Sequence, residues 1–205
     1  MFVHVVMPHN HHHIFKPSKN IMIELIWAQD ENGAIGYEQK LLYHIPRDLD
    51  HFKKITSEPH KTLLMGRKTF ESIPKSAKHN TRLPGRRKVV LSRNKPKVIQ
   101  HVDTLYVTSV VDWLEFTDFN TPSNEKILTV IGGAGVYSDM IKHAHVLHVT
   151  RISIKAPRAD VYAPVIDENV FELKRSSPAL CLLHESASRT ISTLANCSFE
   201  TWVRR

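Results

Sequence analysis

Short apolar segments rich in β-branched residues alternate along this chain with segments that carry helix signals. A run of this kind that is bounded by turn residues is typical of a buried strand, and a strand–helix–strand alternation is typical of a parallel sheet. The predicted strands of this part of the chain lie at residues 22–29 (MIELIWAQ), 61–66 (KTLLMG), 88–91 (KVVL), 104–108 (TLYVT) and 127–130 (ILTV).

Helices are predicted between these strands, beginning at Pro46, near Arg67, after Ser109 and after the glycines of residues 132–135. After Leu147 the pattern changes, because VLHVTRISI, VFELK and SFETWVR follow one another as strands. The prediction is therefore an α/β fold with a single domain. Its mixed sheet is mostly parallel with antiparallel C-terminal strands, and helices cover both faces.

The first 21 residues differ in composition from the rest of the chain. They contain five of the 14 histidines and neither an acid nor a glycine, which predicts a disordered, His-rich extension (1–21) ahead of a domain at 22–205. A chain of 205 residues is long enough for one full core and short for two. The His11–His13 tract favours adventitious metal binding, and no metal site is predicted.

Composition limits where this chain is expected to work. No apolar run approaches the roughly 20 residues that span a membrane, and 41% hydrophobic with 23% charged residues is ordinary for a soluble protein. The two cysteines, Cys181 and Cys197, match no zinc or CxxC spacing and are too few for a disulfide scaffold. We therefore expect a reducing compartment, the cytoplasm.

The charge of the chain leaves several partners open. A formal net charge of +8 is compatible with nucleic acid, a membrane surface or a phosphorylated ligand. The region from Lys75 to Lys97 holds nine lysines or arginines and no acid. It also lacks the interleaved aromatic residues that single-stranded nucleic acid favours, so nucleic-acid binding is the weaker alternative.

The most informative chemistry lies in residues 41–53, LLYHIPRDLDHFK. Pro46 suits the first turn of a helix, which places Asp48 in that turn. Leu49 and Phe52 are three apart on one helical face, and Asp48 lies beside that face. Asp48 is thus either an acid that favours the helix dipole or a buried carboxylate that holds a polar ligand.

Four loops are expected to meet at the carboxyl ends of the parallel strands, where ligands of α/β sheets bind. The last loop, residues 132–135, leads into the motif GAGVYS at residues 133–138. This motif has Ser138 where GxGxxG has its third glycine, so it is a weak dinucleotide fingerprint. Backbone N–H groups at helix starts and nearby cations nevertheless suit phosphate. The loops are residues 29–44, 66–69, 92–94 and 132–135.

Taken together, these motifs resemble dihydrofolate reductase of the chromosomal bacterial type. The resemblance runs from Met22 to Arg205, and all seven glycines fall inside it. It rests on LIWAQDENGAIG, LLYHIPRDLDHFK, LLMGRKTFESI, LPGRRKVVLSRN, VIGGAGVY, LHVTRI, DVYAP and SFETWVRR.

The resemblance implies an NADPH-dependent reduction of 7,8-dihydrofolate to tetrahydrofolate, with hydride going to C6 of the pterin and a proton to N5. It implies that Asp48 binds the pterin and that Thr150 completes that hydrogen-bond network. Tyr43 stands where the family usually has Trp, so proton delivery is expected to differ. The implied substrate-binding residues are Ile26, Ala28, Asp48, Leu49, Phe52, Ile73, Leu83, Arg86, Ile131 and Thr150. Arg86 would bind the α-carboxylate of the glutamate tail.

The resemblance also implies a set of cofactor-binding residues and a Gly132–Gly133 pair joined by a cis peptide. Arginines near the ribose 2′-phosphate favour NADPH over NADH. The implied residues are Ala28, Ile35, Gly66, Arg67, Lys68, Thr69, Leu91, Ser92, Arg93, Ile131, Gly132, Gly133, Ala134, Gly135, Val136 and Tyr137.

The partners implied are dihydrofolate and antifolate inhibitors, with no nucleic acid and no membrane, and a monomer is the family default. A reductase of another pterin or of a pyrimidine on the same fold is the alternative; Asp48, Phe52 and Arg86 argue against it. Two further departures from the family pattern, Trp27 and a long basic segment at residues 74–82, are expected to alter antifolate affinity.

Overall fold

The computed structural model describes residues 21–94, 103–117, 126–185 and 188–205. The predicted extension at 1–21 therefore lies outside the described residues except for Ile21. The helices are α1 (Pro46–Thr56), α2 (Arg67–Ser72), α3 (Val110–Thr117) and α4 (Ala134–Met140), and a 3-10 turn at Ile141–His143 follows α4. The strands are β1 (Ile21–Gln29), β2 (Ala34–Tyr37), β3 (Lys40–Leu41), β4 (Tyr43–His44), β5 (Lys61–Gly66), β6 (Arg87–Leu91), β7 (Thr104–Val107), β8 (Lys126–Val130), β9 (Val146–Ile152), β10 (Val161–Tyr162), β11 (Phe171–Glu185) and β12 (Ser188–Arg204).

Within the described residues, nine strands form one sheet in the order β4-β11-β12-β9-β1-β8-β5-β6-β7. The strands from β9 to β7 pair in parallel. β12 joins β9 antiparallel, and β11 and β4 extend that side in the same way. The predicted fold class, a mostly parallel α/β sheet with an antiparallel ending, is confirmed.

Helices pack on both faces because successive residues of each strand point to opposite sides of the sheet. On one face, Ile26 of β1 joins a cluster with Ile55 of α1 and Phe70 of α2. On the other, Leu25 of β1 packs in a second cluster with residues of α3 and α4, such as Leu114. The helices on both faces of the sheet are therefore supported by the same central strand.

Two sequence predictions need correction in extent. Residues 29–44 were expected to form a loop, but Ala34–Tyr37 and Lys40–Leu41 are strands of a three-stranded sheet with β10. VFELK and SFETWVR are only the ends of β11 and β12, which run for 15 and 17 residues. Both differences come from pairing between distant segments, which local propensity does not encode.

The remaining turn at residues 30–33 is held by one buried side chain. Asp30 is 2% exposed, and its Oδ1 accepts hydrogen bonds from the backbone N–H of Asn32 and of Ala34, both at 2.8 Å. Its Oδ2 accepts a third from Ala156 N, also at 2.8 Å. The base of the loop predicted at residues 29–44 is thus fixed to the segment that precedes β10.

Candidate active site

Helix α1 presents Asp48 at the centre of the site. Ile45 before the helix is extended, with φ −118°, and Pro46 begins the first turn, so Asp48 lies in that turn as predicted. Its side chain is half-buried and accepts a hydrogen bond from the hydroxyl of Thr150 on β9, which is 2% exposed. Burial raises the pKa of the Asp48 carboxyl, and the Thr150 hydrogen bond offsets only part of that rise. The structure therefore brings together the two residues that the resemblance paired.

Tyr137 of α4 connects this acid to the glycine-rich segment. Its hydroxyl donates a 2.6 Å hydrogen bond to the backbone carbonyl of Ile26, and the ring is buried. Burial raises the pKa of the Tyr137 phenol, and the charge of Asp48 raises it further. The Trp27 ring contacts the Tyr137 ring in a tilted arrangement, with 5.5 Å between ring centroids, and packs in the core on the face of β1 opposite Ile26. Trp27 is therefore linked to the candidate site through its contact with Tyr137.

The expected apolar wall is assembled as one cluster. Phe52, Ile73 and Leu83 are partly buried and pack against a core that includes Ile26 and Ile131. Leu49, by contrast, is 36% exposed on the outer part of α1. The core residues that support this wall, and that the sequence did not single out, are Ile55, Leu63, Met65, Phe70 and Val90.

Arg86 follows Leu83 in the segment that precedes β6. Its Nε and Nη2 donate to Ser57 Oγ at 3.2 and 2.8 Å, which ties the segment before β6 to the end of α1. Lys88 holds the same segment from beneath: its Nζ donates to the carbonyls of Arg86 (2.8 Å) and Leu83 (3.3 Å) and pairs with Asp103 at 2.7 Å. Sequence reasoning missed Ser57 and Lys88. A lysine inside an otherwise apolar strand was the available signal for Lys88.

Tyr43 and Ala28 lie on a third apolar cluster. Tyr43 of β4 pairs with Glu185 of β11 and is half-buried. Both Tyr43 and Ala28 pack against a cluster that contains Ile45, the residue before α1. Tyr43 therefore approaches the site from the start of the helix that carries Asp48.

The glycine pair at the end of β8 is packed against the start of α2. The Gly132–Gly133 bond is cis, as the resemblance implied, and Gly132 has a φ of +122°, where side chains are disfavoured. Gly66 N donates to Gly132 O at 2.8 Å, and a Cβ on Gly133 would come within 3.0 Å of Thr69 Oγ1. The first turns of α2 and α4 therefore meet through bare backbone.

Cations surround this junction. Arg67 at the start of α2 is held by Glu71, with Nη1 at 2.9 and 2.7 Å from the two carboxylate oxygens. Lys68 and Arg93 are exposed, and Ser92 is buried, donating from Oγ to Asn94 O at 2.6 Å. Leu91 and Ile35 are partly buried against the core behind them. The set of backbone N–H groups and cations fits a phosphorylated dinucleotide. The remaining predicted cofactor residues, Ala134, Gly135 and Val136, lie in the first turn of α4.

A buried polar network beneath the site was also missed by sequence reasoning. Glu24 of β1 is 4% exposed, and its Oε1 accepts from Lys61 Nζ and Thr129 Oγ1, both at 2.6 Å. His148 Nε2 lies 3.3 Å from Oε2 of Glu24, so a carboxylate that is distant in sequence lies beside this histidine. Burial alone would raise the pKa of Glu24, but the hydrogen bonds from His148, Lys61 and Thr129 and the Lys61 charge lower it to about 2.

Comparison with known proteins decides the family. The model of the family described as dihydrofolate reductase matches residues 22–190. The dihydrofolate reductase of Bacillus subtilis (strain 168) is 36% identical over 155 residues, which are 76% of this chain and 83% of the relative. That of Mycobacterium tuberculosis (strain H37Rv) is 34% identical over 154 residues, 72% of this chain and 83% of the relative.

The chain belongs to the dihydrofolate reductase family. A solved structure of dihydrofolate reductase from Enterococcus faecalis, in complex with NADP(H) and RAB-propyl, has the same fold with a TM-score of 0.68. It is 32% identical, and the match covers 90% of this chain and 96% of that one. The chain is accordingly an oxidoreductase, an NADPH-dependent dihydrofolate reductase.

In the part of the chain that the structure describes, no helix is both long and apolar enough to cross a bilayer.

Proposed function

We propose that the reduction of 7,8-dihydrofolate is carried out around Asp48, and the observation that carries this proposal is the Asp48–Thr150 pair at the start of α1. A carboxylate accepts two parallel hydrogen bonds from the 2-amino group and the adjacent ring nitrogen of a pterin, which fixes the orientation of the ring. Thr150, by donating to Asp48, fixes the orientation of the carboxylate. Asp48 and Thr150 together form the pterin-binding end of the site.

NADPH supplies the hydride that goes to C6 of the pterin. The residues proposed to hold it are Arg67, Lys68 and Arg93 at the phosphates, with the first turn of α4 beside the pyrophosphate. Tyr137, buried and bonded to the Ile26 carbonyl, closes the wall between the two ligands.

The proton that goes to N5 needs a route past Asp48. A carboxylate near the pterin favours the protonated ring electrostatically, and the raised pKa of Asp48 brings its own protonation closer to the working pH. Tyr43, half-buried beside the start of α1, offers a phenol O–H to orient water where the family usually has an indole N–H. Asp48, Thr150 and Tyr43 are thus the proposed catalytic group.

The rest of the substrate is proposed to lie along the apolar wall. Phe52, Ile73 and Leu83 contact its aromatic middle, with Leu49 at the outer rim. The fork of Arg86 binds the α-carboxylate of the glutamate tail, since a planar guanidinium matches both oxygens. We further propose a cytoplasmic monomer that antifolates inhibit by occupying the same wall.

The test is NADPH oxidation followed by absorbance, with and without dihydrofolate, in wild type and Asp48→Asn. We expect substrate-dependent oxidation in wild type and its loss by at least about 100-fold in Asp48→Asn at neutral pH, because an amide cannot accept both hydrogen bonds or favour the protonated pterin. Tight NADPH binding without any dihydrofolate-dependent oxidation in wild type would contradict the proposed substrate.

Thermal unfolding of Asp48→Asn distinguishes a loss of catalysis from a loss of stability. The folded pKa of Asp48 is raised above its ordinary value of 3.8, so its charged form costs stability at neutral pH, and that cost disappears once the pH falls below 3.8. Asp48→Asn should therefore have a higher melting temperature than wild type at pH 7, and the difference should shrink towards pH 3.8. A lower melting temperature at pH 7 would mean that lost activity reflects damage to the fold.

A further inference from the structure

His51 lies on α1 one turn after Asp48, and the proposed function gives it no part. Residues three apart lie on the same face of a helix, so the two side chains leave α1 towards the same part of the sheet. The His51 ring packs on the ring of Phe199 of β12, with 4.7 Å between ring centroids and 53° between ring planes. This contact joins α1 to the antiparallel side of the sheet.

Phe199 is the direct neighbour of Thr150 in the sheet. The register of β12 on β9 places Phe199 opposite Thr150, and the side chains of directly paired residues point to the same face. Two contacts therefore join α1 to this pair of strands. The first is the hydrogen bond between Asp48 and Thr150, and the second is the packing of His51 on Phe199. The second contact limits how far α1 can move away from Thr150.

The surroundings of the His51 ring favour its neutral form. Burial lowers the pKa of His51 below its ordinary value of 6.5. The positive charges of three neighbouring side chains lower that pKa further, namely His148, Lys54 and Arg175. The ionisable groups beside the ring are Arg47, Asp48 and Lys54 on α1, His148 on β9 and Arg175 on β11, and Glu24 of β1 lies beyond His148, 3.3 Å from its Nε2. At neutral pH the ring is uncharged and packs on Phe199 without the desolvation cost of a cation.

We propose that His51 is a positioning residue of the reductase. Its neutral ring, packed on Phe199, holds α1 against β9 and β12, and Asp48 thereby stays within hydrogen-bond reach of Thr150. The proposal rests on the proposed function, because that function assigns the pterin to Asp48. When His51 gains a proton, a further cation joins a half-buried group that already holds His148, so the contact with Phe199 weakens and the pterin is bound less tightly.

The kinetic test measures KM and kcat for dihydrofolate between about pH 5 and about pH 8 in wild type, His51→Phe and His51→Ala. We expect the KM of wild type to rise about threefold to tenfold as the pH falls below 6.5, because His51 gains its charge there. His51→Phe keeps a ring that cannot be charged, so its KM should match that of wild type at about pH 8 and lack this rise. His51→Ala loses the ring, so its KM should already be raised at about pH 8. The same pH dependence of KM in wild type and His51→Phe, or an unchanged KM in His51→Ala, would overturn the proposal.

The matched control is His79→Phe, which makes the same substitution at an exposed position in the segment before β6. This variant should keep the pH dependence of KM that wild type shows. An equal change of that dependence in His51→Phe and His79→Phe would show that it follows from the loss of any histidine and not from His51.

A titration followed by NMR separates the positioning role from the reductase activity. In the full-length ¹⁵N-labelled protein, the amide signal of Thr150 should shift with the same midpoint as the ring signals of His51, and this step should be absent from His51→Phe. If wild type oxidises no NADPH with dihydrofolate but shows the shared midpoint, the proposed function fails while the coupling of His51 to Thr150 stands. A Thr150 signal that does not follow the titration of His51 would overturn the positioning role, whatever the activity.

Discussion

At the scale of single residues, the site depends on buried and half-buried charged groups that each have a specific partner. Asp48 is bonded to Thr150, and Lys88 to Asp103 and two carbonyls. Lys88 has a fully buried side chain, so its ammonium group is kept only because those acceptors surround it. Its contacts fix Leu83 and Arg86, which belong to the proposed wall and tail site.

Lys88→Met should therefore both destabilise the protein and displace the tail-binding turn. We expect a loss of about 1–3 kcal/mol in the free energy of unfolding, measured with urea, because the Leu83 and Arg86 carbonyls lose their donor. The KM for dihydrofolate should rise while the Kd for NADPH stays unchanged. Lys142→Met, at an exposed position, serves as the control and should change neither quantity. Unchanged KM in Lys88→Met would show that Lys88 has no part in positioning Arg86.

At the scale of elements, the Glu24 network joins four strands under α1. Glu24 is on β1, Lys61 on β5, Thr129 on β8 and His148 on β9, two residues before Thr150. Lys61 also reaches Glu58 in the turn after α1. The network thus links the strands beside Thr150 to the turn after α1, where Ser57 is bonded to Arg86.

Glu24 should make stability depend on pH in acid. Its folded pKa, about 2, lies below the ordinary value of 4.5, so its contribution is present above pH 4.5 and is lost as the pH falls towards 2. That shift corresponds to about 3 kcal/mol at neutral pH. Glu24→Gln should lower the free energy of unfolding at pH 7 by about that amount and flatten its decline between pH 4.5 and 2. Parallel pH profiles for the two proteins would contradict this role.

At the scale of the whole molecule, the described fold begins at Ile21, one residue before the predicted domain start. Ile21 pairs with Lys126 of β8 and is 7% exposed, so it belongs to the sheet. The disordered N-terminal extension remains a prediction from the sequence, and we expect that activity does not need it.

Truncation tests this boundary. A chain that begins at residue 21 should keep the kcat, the KM and the melting temperature of the full chain. A chain that begins at residue 22 should keep its activity but lose about 1.5–3 kcal/mol of stability, because a buried isoleucine side chain is removed from the end of β1. Loss of activity on removal of residues 1–20 would show that the extension contributes to the fold or the site.

The sequence by itself determined the layout of the protein: alternating strands and helices, Asp48 in the first turn of α1, the Gly132–Gly133 pair before α4, and the family. These features follow from local patterns, namely periodicity, a proline at a helix start and glycines at close approaches of backbone. Only the tertiary structure decided the length of β11 and β12, the tie between Arg86 and Ser57, the partners of Lys88, and the Glu24 network. Each of these depends on contacts between groups on separate elements, most of them far apart in sequence, and such contacts leave no periodic signal in the chain.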